Sequence, residues 1–187
     1  MAKVVIISGS PNSKSRLHGI LLQAEAWLAD HSVQRIDVRD LPAEDLVHTK
    51  FDSKEIIEAT KAVEQADAVI VATPVYKASY TGVLKLFLDL LPQKGLVGKV
   101  VMPVAIGGTI AHLLSIDYAL KPVLSALGAT NQLQGVYVVD EQVRRYEDGS
   151  FEIDEAVHQR LKESIFELLR EAALYQTPSP AKGSSPF

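Results

Sequence analysis

Apolar runs that alternate with amphipathic stripes set the strongest limit on how this chain folds. Lys3-Val4-Val5-Ile6-Ile7-Ser8 and Ala68-Val69-Ile70-Val71-Ala72 are continuous and rich in β-branched residues. Strands buried on both faces read this way, as in a parallel sheet covered by helices. Val33 to Val38, Lys99 to Ile106 and Gln134 to Val139 complete a set of five. Between them, residues recur at helical spacing: Leu17, Ile20, Leu21 and Ala24; Ile56, Thr60 and Val63; Val83, Leu84, Phe87 and Leu88; Leu113, Ile116, Leu120, Leu124 and Leu127. A last stripe runs from Ile153 through Val157, Leu161 and Ile165 to Ala172. Ser53 is expected to cap one helix through its hydroxyl, and Gly128 to close another in the left-handed conformation.

Five strands alternating with five helices imply an α/β, doubly wound parallel sheet with helices on both faces. The flavodoxin-like order 2-1-3-4-5 suits five strands, because the six-stranded dinucleotide order needs another unit. One domain over residues 1–175 is expected, without internal repeat. Residues 176–187 are rich in Pro, Ser and Gly and are expected to form a disordered tail. Arg144 to Ser150 contains a turn signal, Glu147-Asp148-Gly149.

The 187 residues suffice for one buried core, and a net charge of −4 without a Lys/Arg cluster argues against nucleic acid. With no cysteine there is no thiol chemistry, so redox activity needs a borrowed cofactor. The apolar run Val4–Ile7 is too short for a signal-peptide core, and no stretch reaches membrane-spanning length. A cytoplasmic protein is the expectation. No group of His, Asp and Glu has metal-ligand spacing, so no metal is expected.

Ligands of open α/β sheets bind beyond the carboxyl ends of the strands, at the switch point. Three loops leave that edge. Gly9-Ser10-Pro11-Asn12-Ser13-Lys14-Ser15-Arg16 feeds a helix N-terminus, where amides, hydroxyls and Arg16 suit a phosphate. It lacks the glycine pattern of a P-loop or a dinucleotide fold, which favours a monophosphate over a pyrophosphate. A plain serine-capped turn would read alike. The second loop, Thr73-Pro74-Val75-Tyr76-Lys77, offers a rigid edge for a flat ring, or merely a buried tyrosine. Gly107-Gly108-Thr109 permits close approach of backbone to ligand, or makes a simple turn.

These segments, with His112-Leu113-Leu114 and Asp117-Tyr118-Ala119-Leu120-Lys121-Pro122, resemble the NADPH-dependent FMN reductase family over roughly residues 3 to 174. The resemblance is closest to the reductases of alkanesulfonate assimilation. It implies FMN and NADPH (or NADH) as cofactors, a homo-oligomer, and a partner monooxygenase that uses reduced FMN to release sulfite from alkanesulfonates. It places the FMN phosphate at Ser10, Ser15 and Arg16. The flavin ring falls along Pro74, Val75, Tyr76 and Lys77, closed by Gly107, Gly108 and Thr109, with His112 within reach. Tyr118 is implied to be an inserted residue that forces a π-bulge, packs at a tetramer interface and governs flavin exchange. The family carries an arginine near Asn12 that is absent here, which leaves Lys14 or Arg16 to supply the cation.

Hydride transfer between two cofactors needs no acid–base dyad, and none is expected. Three other readings stay open: a quinone or azo reductase with retained FMN, a non-enzymatic electron carrier of the same fold, and an interaction module that keeps the fold without the cofactor.

Overall fold

A computed structural model of the chain describes residues 1–176. The expected tail lies outside the described residues, save Gln176, which ends the last helix. The sheet runs β2 (Ser32–Asp37), β1 (Lys3–Ser8), β3 (Ala68–Pro74), β4 (Val100–Gly107) and then β5 (Asn131–Gln132) and β6 (Val136–Val139), which both pair with β4. Every one of these pairings is parallel. The 2-1-3-4-5 order is therefore present, with its fifth strand in two pieces.

Strand alternation sorts the apolar side chains into two layers. Val4, Ile6, Ile70 and Val104 pack with α1 (Arg16–Trp27) and α6 (Glu155–Gln176) on one face. Val5, Ile7, Val69 and Val71 pack with α3 (Lys54–Gln65), α4 (Gly82–Leu88) and α5 (Lys121–Ala126) on the other. Both faces are covered, and this is why β1 and β3 read as unbroken apolar runs. A short α2 (Ala43–Val47) sits in the connection before α3.

Four expectations are corrected. Ser53 precedes α3, but its hydroxyl donates to Glu55 at 3.3 Å instead of accepting from a helix amide. The fifth strand is interrupted because Pro103 of β4 brings no N–H to the ladder and Gly135 bulges opposite it. Gly135 has φ +87°, and a Cβ there would lie 2.5 Å from the Pro103 carbonyl oxygen. The helix after the third loop is not continuous: a 3-10 turn (Ile110–His112) and a π-helical turn (Ile116–Leu120) precede α5. Finally, Ile153 does not join the last helix: Val143–Arg145 and Phe151–Ile153 form an antiparallel hairpin, β7 and β8, around the expected turn at Glu147-Asp148-Gly149. Gly128 does take the left-handed conformation, with φ +89°.

Among the described residues no helix is long and apolar enough to cross a membrane.

Candidate functional site

The carboxyl ends of β1, β3 and β4 open onto a cavity of about 430 Å³. The first loop contributes Asn12, Lys14, Ser15 and Arg16, and the second Pro74, Val75 and Tyr76. Ile106, Gly107 and Gly108 come from the third, and Asp140 and Arg145 from the segment after β6. Seven of the residues expected from sequence thus meet in one place. Four expected there do not line it: Ser10, Lys77, Thr109 and His112.

Each of those four has a structural role that explains its position. Ser10 is buried, and its hydroxyl donates to the Asn12 carbonyl at 3.0 Å, folding the first loop on itself. Lys77 is exposed at the tip of a two-residue turn in which Tyr76 and Ser79 exchange backbone hydrogen bonds. Lys77 and Ala78 are both left-handed, at φ 52° and 62°. That is the pattern of a type I′ turn, which glycine or asparagine usually supplies. Two residues with a Cβ pay steric strain of order 1 kcal/mol each there. Thr109 caps the 3-10 turn, its side chain accepting from the Ala111 amide at 3.1 Å. His112 ends that turn, half-buried.

Ser15 is the N-cap of α1: its hydroxyl oxygen accepts from the Leu17 amide at 3.2 Å. Its own proton stays available to a ligand. The Asn12 side chain accepts from the Lys14 amide at 2.9 Å, so the loop is internally fastened. Thr81 ties the first loop to the second. Its hydroxyl donates to the Gly9 carbonyl at 2.6 Å and accepts from the Leu84 amide at 3.1 Å, capping α4. Behind the third loop stands Tyr137, buried, whose hydroxyl donates to the Thr109 carbonyl at 2.7 Å. Burial, and secondarily the Asp140 carboxylate, push its pKa up, so it remains a donor.

The walls carry Lys14, Arg16 and Arg145 against the single carboxylate of Asp140, in a chain of net charge −4. No His, Cys, Asp and Glu group among the described residues is arranged to hold a metal ion. The wall thus carries a surplus of positive charge beside Pro74, Val75 and Ile106, an arrangement whose charge favours an anion.

Residues 2–144 match the model of the family described as NADPH-dependent FMN reductase. The chain belongs to that family. It is 47% identical over 181 residues to FMN reductase (NADPH) of Pseudomonas putida, covering 95% of this chain and 90% of the relative. FMN reductase (NADPH) of Escherichia coli is 49% identical over 146 residues, covering 77% and 76%. Among solved structures, the apo form of an NADH:FMN oxidoreductase (EMOB) superposes with a TM-score of 0.80 at 36% identity, covering 96% and 92%. This FMN reductase accordingly works with FMN and a nicotinamide nucleotide.

Sequence reasoning about the reductase missed Ile106, Asp140 and Arg145. The signal for Arg145 was present: Val143, Arg145, Phe151 and Ile153 alternate with polar residues around an Asp-Gly turn. Tyr118 sits within the π-helical turn and is 79% exposed, beside exposed Ile110, Leu113 and Leu114.

Proposed function

We propose that this FMN reductase binds FMN in the three-loop cavity, releases it reduced, and supplies it in the cytoplasm to a separate monooxygenase. That oxygenase is read as one that frees sulfite from alkanesulfonates. The observation that carries the flavin assignment is the convergence of Ser15 and Arg16, Pro74 to Tyr76, and Gly107-Gly108 on one cavity. The residues fit the group. The phosphate belongs with the Ser15 hydroxyl, the start of α1 and Arg16. The ring belongs between the second and third loops.

The two cofactors supply the redox chemistry between themselves when bound. What the chain supplies is position. Val75 donates its amide to the Ile106 carbonyl at 2.7 Å, which extends the β3–β4 ladder to the cavity edge and fixes that wall. Tyr137 and Thr81 hold the other loops in place. The apolar exposed run of Ile110, Leu113, Leu114 and Tyr118 supports a homo-oligomer that covers it.

Anaerobic titration of NADPH oxidation against added FMN tests the reading. FMN in many-fold excess over enzyme is expected to be reduced in full. Oxidation that stops at one flavin per protomer would show retention and overturn the release.

Two variants refine it. Arg16→Gln is expected to weaken FMN binding about tenfold, the scale of one charge-assisted bond, and to leave riboflavin binding unchanged. Equal weakening of both would refute the phosphate assignment. Tyr118→Ala is expected to raise flavin retention and slow turnover with free FMN, because π-turns mark functional sites. Gel filtration of the flavin-loaded variant followed by absorbance reads this directly; unchanged retention and turnover count against it.

A further inference from the structure

Five of the seven arginines have a partner for the guanidinium, four of them a carboxylate and one the backbone. Arg35 pairs with Glu25 and Asp37, Arg39 with Asp37 and Asp40, Arg144 with Glu152, and Arg170 with Glu167 and Glu171. Arg160 donates to backbone carbonyls. Among the described residues the two arginines without a partner are Arg16 and Arg145, and both line the cavity. They stand on separate elements, one at the start of α1 and one at the end of β7.

The hairpin delivers Arg145 by design of its alternation. Val143 pairs with Ile153 and Arg145 with Phe151, so these four share a face. That face packs toward α1 at one end and opens to the cavity at the other: Val143 is buried in the core, half-buried Phe151 covers Gly19 of α1 so closely that a Cβ on Gly19 would run into its ring, and Arg145 is exposed on the cavity wall. Arg144 and Glu152 point the other way and satisfy each other at 3.5 Å. Adjacent arginines therefore have opposite fates, one paired on the outside and one presented to the cavity without a counter-charge.

An unpaired guanidinium in a ligand cavity is a fork for an anion with two oxygens to offer. The two cofactors of the reaction each carry a phosphomonoester: the 5′-phosphate of FMN and the 2′-phosphate that separates NADPH from NADH. We propose that Arg145 recognises one of these phosphomonoesters and is a specificity-determining residue, selecting the phosphorylated cofactor over its unphosphorylated counterpart. The inference rests on the cavity assignment made above.

Arg145→Gln tests it through two pairs of ligands. One pair is NADPH and NADH, read as KM at saturating FMN. The other is FMN and riboflavin, read as dissociation constants from quenching of flavin fluorescence, without turnover. A rise of about tenfold for NADPH with NADH unmoved assigns the nicotinamide phosphate; the same rise for FMN with riboflavin unmoved assigns the flavin phosphate. Either result supports the inference, and Arg145→Lys should then retain part of the discrimination. Equal shifts within both pairs, or none, overturn it. So does the same shift in Arg144→Gln, which changes the net charge equally from the paired, outward position. If the unaltered enzyme binds no flavin, the cavity assignment itself fails; if it binds and reduces FMN while the Arg145→Gln pairs move together, only the role of Arg145 falls.

Discussion

Gly9→Ala is expected to cost about 3 kcal/mol of stability and to abolish most FMN reduction. A Cβ at Gly9 would lie 2.5 Å from the Cβ of Leu84 and 3.2 Å from the Thr81 hydroxyl. The Leu84 Cβ is bonded directly to the α4 backbone, so no rotamer change relieves the contact; the helix itself must move. Leu84 is a fully buried residue of α4, packed in the core on that face of the sheet, where there is no slack. Movement of α4 strains the Thr81 hydroxyl, which holds both the Gly9 carbonyl and the Leu84 amide of α4. The damage reaches two walls of the cavity at once. Urea denaturation should show the lower midpoint, and flavin titration the loss of binding. A variant of undiminished stability with unchanged affinity for FMN would disprove the coupling.

Gly107→Ala acts on the third wall. A Cβ there would collide with the Tyr137 hydroxyl and approach the Val75 Cβ at 3.3 Å. Tyr137 has a rigid ring, almost fully buried, and cannot swing away as a flexible chain would. It must surrender its hydrogen bond to the Thr109 carbonyl, and the third loop loses its anchor. We expect a rise of about tenfold or more in KM for FMN and a stability loss of about 1–3 kcal/mol. The stability loss should exceed that of Tyr137→Phe, which removes the same hydrogen bond without the collision. Equal losses in the two variants would mean that the hydrogen bond, not the crowding, accounts for the effect.

The parts of this molecule that were legible in the sequence are those where one physical signal dominates. Val4 to Ile7 and Val69 to Val71 are buried on both sides, so their β-branched runs announce central strands. The three loops at the carboxyl edge follow from the order of the strands, and seven of their residues do converge. Composition alone says less about direction. Ser10 and Thr109 have the right chemistry for a ligand, yet their hydroxyls serve the loop backbone. Leu113 and Leu114 continue a helical stripe on paper but are exposed, because the chain passes through 3-10 and π turns before α5 begins. Arg145 was hidden for another reason. Its hairpin has strands of three residues each, too short for periodicity to stand out, and only the packing of Phe151 on Gly19 shows which side faces in.

The interruption between β5 and β6 has a result at some distance from where it occurs. Four residues of β4, from Val101 to Val104, are matched by five of the neighbouring chain, from Gln132 to Val136. A side chain changes sides with every step, so this single surplus residue inverts everything that follows it. With an even count Tyr137 would stand opposite Ile106 and look toward α1 and α6. As built, it stands opposite Ala105 and looks toward the ligand loops. The phenol that supports the third wall owes its orientation to a proline and a glycine that do not line the cavity, and shortening the 132–136 segment by one residue would rotate that support to the wrong half of the protein.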